Sequence, residues 1–113
     1  MKQINQGDIY LADLNPVKGH KQAGVRPVIV LQNNILNRNL NTVIVAPLSA
    51  NLSAKGLMTT CFLPKKESGL SKDSVALLYQ VRTIDKSRLK KELGHISGVN
   101  FSRLRVKMMR VFS

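Results

Sequence analysis

Gly24-Val25-Arg26-Pro27-Val28-Ile29-Val30-Leu31 is the stretch on which the reading of this chain turns. Gly24 gives a flexible lead-in, and Pro27 fixes the approach to a continuous apolar run. Proline biases the residue before it towards extended backbone and offers no N–H to a ladder. Arg26 is therefore predicted at the mouth of a strand. Val28 to Leu31 read as a central, buried strand. A guanidinium on so rigid a mount is suited to grip a phosphate with its planar fork of donors. The fragment alone is equally compatible with a solvated arginine leading a strand.

Working outward, Ile9 to Leu14 read as a strand broken by Asn15-Pro16, and Val17 to Gly24 as a functional loop. Asn33 to Asn41 read as a helical turn or a loop. Thr42 to Leu48 form a further buried strand, with Pro47 pointing to an edge or a bulge before Ser49. Ser53 to Gly56 is a loop, Leu57 to Leu63 a strand, and Pro64 to Gly69 a turn-rich connection. Ser74 to Val81 read as a last main strand. From Ser97-Gly98 a terminal helix is predicted, because Phe101, Leu104, Met108 and Val111 recur at helical spacing, while Arg103, Lys107 and Arg110 share the other side. Leu104, Val106 and Met108 also alternate, so a strand competes there. Five or so short strands and one late helix predict a mainly β, α+β architecture, a small barrel or curled sheet.

The chain has 113 residues, the size of one domain spanning 1–113, and its apolar fraction of 43% is that of a globular protein. Cys61 is the only cysteine, which precludes an internal disulfide and fits a reducing cytoplasm. No apolar run approaches the ~20 residues of a membrane span, and Met1 to Gln6 lack the apolar stretch of a secretory signal. Eighteen Lys and Arg against six Asp and Glu give a net charge of +12. Such a field attracts polyanions, nucleic acid among them. Half of the 18 basic residues follow Val81, dispersed as on a charged folded surface.

Metal chemistry has little to stand on. His20 and His95 are the only histidines, and the acids are scattered. Phosphate-loop, dinucleotide and serine-hydrolase signatures are absent. What remains are polar groups beside predicted strand ends: His20 and Gln22 in the first loop, Arg26 at its exit, Ser49, and late in the chain Gln80 and Arg82. Tyr79 offers a ring for stacking a base. Together these groups suit cleavage of RNA without metal. RNA carries its own nucleophile, the 2′-hydroxyl, and the protein supplies a base, an acid and positive donors for the transition state. Arg26 and Ser49 would be those donors, and His20 the group that moves a proton. Each also has a plainer reading: an exposed loop histidine, a turn serine, a surface arginine.

Gly7-Asp8-Ile9-Tyr10, Asp13-Leu14-Asn15-Pro16, Gly19-His20-Lys21-Gln22-Ala23-Gly24-Val25-Arg26-Pro27, Thr42-Val43-Ile44-Val45 and Gln80-Val81-Arg82-Thr83-Ile84-Asp85 follow one another in order. In this the chain resembles the MazF/PemK family of bacterial toxins, endoribonucleases also called mRNA interferases, from Gln6 to the terminal helix. The resemblance implies an SH3-like β-barrel with short helices, usually a homodimer whose RNA groove crosses both subunits. It implies cleavage of single-stranded RNA at a short sequence without metal or other cofactor, leaving a 2′,3′-cyclic phosphate and a 5′-hydroxyl. It further implies neutralisation by a cognate antitoxin with an acidic tail. The family's central arginine falls on Arg26, its strand-end hydroxyl on Ser49 (threonine in many members), its loop histidine on His20, and a glutamine near the active site on Gln80. Tyr79 stands where some members carry an acid, Leu77 where some carry a second arginine, and Lys21 where an acid is common. A different class, a non-catalytic nucleic-acid binder or a gyrase-inhibiting barrel toxin, is the alternative.

Overall fold

The computed structural model describes residues 3–15 and 24–112. Among them seven strands build one antiparallel sheet: β1 (Asp8–Asp13), β2 (Val25–Val30), β3 (Thr42–Ser49), β4 (Thr60–Leu63), β5 (Ser74–Leu77), β6 (Arg82–Asp85) and β7 (Leu89–His95). Their order is β4-β5-β3-β2-β1-β7, with β6 also beside β3. Three helices accompany them: α1 (Asn34–Asn39), α2 (Lys65–Ser68) and α3 (Gly98–Phe112).

The continuous apolar run of β2 is explained by burial on both faces. Val28 and Val30 enter one core with Tyr10, Ala12, Val43 and Val45, whereas Ile29 enters a second core with Ile9, Ala46 and Leu48. Helix α3 covers this second core: Phe101 and Leu104 are buried in it, and Met108 and Val111 pack against it. The helix prevails over the alternating pattern of Leu104, Val106 and Met108 for an energetic reason. Burying a leucine is worth about 1.5–3 kcal/mol, more than the ~1 kcal/mol span of strand preferences.

The mainly β, α+β architecture expected from the sequence, a small SH3-like barrel or curled sheet, is here a curled sheet that stays open among the described residues. The five strands β7-β1-β2-β3-β6 wrap the first core, and Leu89 from β7 and Ile84 from β6 meet in it. No ladder joins β6 to β7 among the described residues. The chain turns between them through a single 3₁₀ turn, Lys86–Arg88, so they form a corner and not a hairpin. Two register shifts between β1 and β7 supply the curl. Strand β7 carries Lys90 and Lys91 exposed on an outer strand, where charge discourages pairing with another chain. Neither β6 nor β7 was expected from the sequence pattern.

Three further expectations are revised. The strand read over Ser74 to Val81 stops at Leu77 and gives way to a 3₁₀ turn, Leu78–Gln80. Strands β5 and β6 lie along the same strand, β3, and the register jumps by three residues between them, the length of that turn. The insertion buries Leu78 and pushes Tyr79 out to 54% exposure. The strand read from Leu57 starts only at Thr60, and Met58 is 70% exposed. Pro47 lies within a central strand, not at an edge. It pairs with Val28, and together with Ala46 it falls in the gap where β6 has ended and β5 has not begun. A missing N–H is tolerated at such an interruption.

Tyr10 is 4% exposed, and its Oη is buried without a hydrogen-bond partner among the described residues. Burial first, then the charges of Asp8 and Glu92, push its phenol up from 10.0 to about 12. An unfolded tyrosine ionises near 10, so this shift stabilises the fold fully below about pH 10, and the contribution is lost as pH rises towards about 12. Tyr10→Phe is expected to flatten that alkaline loss in urea unfolding. Because no hydrogen bond is given up, it should also raise stability at pH 7 by about 1 kcal/mol. A clear loss of stability at pH 7 would contradict the unpartnered hydroxyl.

Candidate active site

The site begins where β2 and β3 part. Strand β2 pairs with β1 from Val25 to Ile29, but with β3 only from Val28 to Val30. Pro27, with no N–H, coincides with the end of that second ladder. Continuing the register past Val28 and Pro47 would set Arg26 opposite Ser49. Into this gap the Arg26 guanidinium reaches: its Nη2 donates to the Leu48 carbonyl at 3.3 Å, the carbonyl immediately before Ser49. The Arg26 guanidinium thus ends at the residue that precedes Ser49.

Ser49 closes β3 opposite Val75 of β5. Its Oγ accepts the backbone N–H of Asn51 at 3.1 Å, and the Asn51 carboxamide accepts from Ser53 N at 3.1 Å, capping the 3₁₀ turn Leu52–Ala54. The hydroxyl thus has a lone pair occupied and its proton available to an incoming acceptor. Asn51 was not singled out from the sequence, although an asparagine two residues beyond a strand end is a turn signal.

The ends of the first loop are pinned together. Asp13 Oδ1 accepts from Asn15 N at 3.0 Å and from Asn15 Nδ2 at 2.8 Å, and Leu14 N donates to the Gly24 carbonyl at 2.8 Å. Asn15 lies so close over Gly24 that a Cβ there would collide with its carboxamide. Arg88 donates to the Asp13 carbonyl at 3.1 Å and also to that of Asn15. His20 and Gln22, the two loop candidates, lie outside the described residues.

The remaining candidates line the other edge of β3. Tyr79 and Gln80 are exposed on the 3₁₀ turn between β5 and β6, and Arg82 is exposed opposite Val45. Four residues of strand separate Val45 from Ser49, roughly 13 Å. Arg82 lines a different, largely apolar concavity of about 470 Å³ with Leu31, Ile44, Met108 and Phe112. Ser49, by contrast, borders a hollow of about 420 Å³ together with Pro27, Leu48 and Lys72.

No three of His, Cys, Asp and Glu converge as metal ligands among the described residues. Burial pushes the Cys61 thiol up, and Arg103 beside it opposes that only in part, so Cys61 is a neutral thiol and not a ready nucleophile. The described histidine, His95, is held at Nδ1 by the buried Asp8 at 2.7 Å. Asp8 opens β1 whereas Arg26 pairs near its other end, so this couple braces β1 against β7, away from the Arg26–Ser49 gap. No described helix is long and apolar enough to cross a membrane.

Arg88→Ala is expected to cost about 1.5–3 kcal/mol in urea unfolding, since hydrogen bonds from a charged group are lost at the loop base. Hydrogen exchange at the Leu14 amide should quicken. Arg26→Ala, which loses one long bond to a carbonyl, should cost no more than about 1 kcal/mol.

The fold is shared with proteins of known structure. An endoribonuclease from a mycobacterial species superposes with a TM-score of 0.77 at 16% identity, over 99% of this chain and 93% of its own. The Mycobacterium tuberculosis toxin MazF-mt6 gives 0.73 at 23% identity, over 93% of this chain and 95% of its own. MazF of Deinococcus radiodurans, in its complex with MazE, gives 0.77 at 25% identity, over 99% and 97%. Residues 5–112 match the family model of the PemK-like, MazF-like toxins of type II toxin-antitoxin systems. The parted strands, the arginine and the hydroxyl between them thus belong to a chain that is a member of this MazF-like toxin family.

Proposed function

We propose that this chain is the toxin endoribonuclease of a toxin-antitoxin pair, cutting single-stranded messenger RNA in the cytoplasm without a metal ion. The observation that carries the reading is the Arg26 guanidinium bonded to the carbonyl next to Ser49, which gathers a fixed positive charge and a hydroxyl donor at one spot. A phosphodiester seated there meets donors aimed at its non-bridging oxygens. The 2′-oxygen attacks phosphorus and loses its proton to a base. The P–O5′ bond breaks, the leaving oxygen takes a proton, and the ends are a 2′,3′-cyclic phosphate and a 5′-hydroxyl. Arg26 and Ser49 stabilise the charge that builds on the phosphorane-like transition state. His20 moves the proton. Gln22, Tyr79, Gln80 and Arg82 hold flanking nucleotides, with Tyr79 as a stacking surface.

The net charge of +12 suits both this substrate and an acidic antitoxin tail competing for the same groove. A mycobacterial endoribonuclease of this fold is known in complex with its cognate antitoxin, and the Deinococcus radiodurans MazF with MazE. A homodimer fits the apolar concavity that Met108 and Phe112 of α3 line, where Phe112 is exposed.

Incubation with a long unstructured RNA should give discrete fragments ending in cyclic phosphate, at an undiminished rate in excess EDTA. Binding without cleavage would instead mark a non-catalytic binder, and loss of activity in EDTA would refute the metal-free mechanism. Arg26→Ala should lower the rate by about 10²–10³ and Ser49→Ala by about 10², both remaining folded. Near-native cleavage by folded Arg26→Ala would remove the central assignment.

A further inference from the structure

The hollow beside Ser49 has the build of a base-binding pocket. Its volume of about 420 Å³ lies in the range usual for small-molecule sites. Pro27, Leu48, Leu70 and Leu93 give it apolar walls, and Ser49, Ser71, Lys72 and Ser74 add polar groups. The wall formed by the segment after α2 is held in place. Gly69 ends α2 in the left-handed region at φ 80°. Leu70 N donates to Ser68 Oγ at 3.1 Å, and Asp73 Oδ1 accepts from Lys65 N at 2.8 Å, closing the turn back onto the start of α2. Gly94 of β7 lets the Ser68 carbonyl approach so closely that any Cβ would overlap it. The wall is thus set before a ligand arrives.

We infer that this pocket takes the nucleobase flanking the phosphate held by Arg26 and Ser49, with Ser71 and Lys72 reading its edge. The inference rests on the ribonuclease reading of the same site. A planar base presents two faces that apolar walls accept and an edge that needs hydrogen bonds. Pro27 follows Arg26 directly, and Leu48, whose carbonyl Arg26 holds, lines the pocket together with Ser49. Lys72 is donor-only, so it favours an edge bearing a carbonyl oxygen, as in uracil or guanine, over the amino group of adenine.

The test has a binding arm and a cleavage arm. Protein with 13C-labelled leucine methyls is titrated with uridine, guanosine and adenosine 3′-monophosphates and with inorganic phosphate. Shifts at Leu48, Leu70 and Leu93 are expected with uridine or guanosine nucleotide, at least about threefold weaker with adenosine. Inorganic phosphate should leave Leu70 and Leu93 unmoved, and Ser71→Trp should abolish the response by filling the hollow. Unmoved methyls, an equal response to phosphate alone, or an unchanged response in Ser71→Trp would each overturn the pocket. In the cleavage arm, a randomised RNA pool is cut and the ends sequenced. Lys72→Ala with Ser71→Ala should relax preference at one position beside the cut about tenfold, and a cleavage map identical to wild type would also overturn it. Base-dependent methyl shifts in a protein that cuts no RNA would defeat the ribonuclease reading and leave the pocket standing.

Discussion

The parting of β2 from β3 is the constraint from which the candidate site follows. Pro27 precedes the last β2 residue in that ladder, Val28, and Pro47 is that residue's partner. Two residues without N–H at one point leave the ladder little with which to continue. The carbonyl of Leu48 then needs a donor, and the Arg26 side chain provides one across the gap. A backbone that cannot complete its own pairing thus holds a cation at the open end of the ladder, as the proposed function requires. The guanidinium has five N–H donors, and one bond to a carbonyl leaves the others for a phosphate.

Around that gap the structure is stiff in the places that matter for aim. Strand β2 is fixed by burial of Val28, Ile29 and Val30 in two cores, and β3 by β2 on one side and β5 and β6 on the other. The turn after Ser49 is capped by Asn51, and the base of the first loop is tied by Asp13, Asn15 and Arg88. An arginine on a mobile loop would surrender conformational entropy on gripping a phosphate, whereas one on a packed strand has already lost most of it.

Much of this was readable from residue order, and what was not has identifiable causes. The buried strands β2 and β3 announced themselves as unbroken apolar runs, and α3 through the spacing of Phe101, Leu104, Met108 and Val111. Strand β7 was hidden because Lys90, Lys91 and Glu92 interrupt any apolar pattern, as befits an outer strand. Arg26 and Ser49 were marked by glycine, proline and strand ends nearby. Arg88 was not, since its acceptors on Asp13 and Asn15 lie 75 and 73 positions away and are backbone atoms, which side-chain identity does not reveal. The curled sheet stays open between β6 and β7, where the chain turns a corner at Lys86–Arg88 and no ladder joins the two strands among the described residues.

The 3₁₀ turn at Leu78–Gln80 has a consequence for how this chain tolerates changes of length. Its three residues are an odd insertion in a path along β3, so even-numbered positions face one core before it, as Ala76 does, and the other core after it, as Ile84 does. Deleting a single residue there would break that alternation: β6 would either slip against β3 or turn Ile84 towards water and Thr83 inward. The fold thus fixes the number of residues in this turn, and gains or losses there should survive only in pairs.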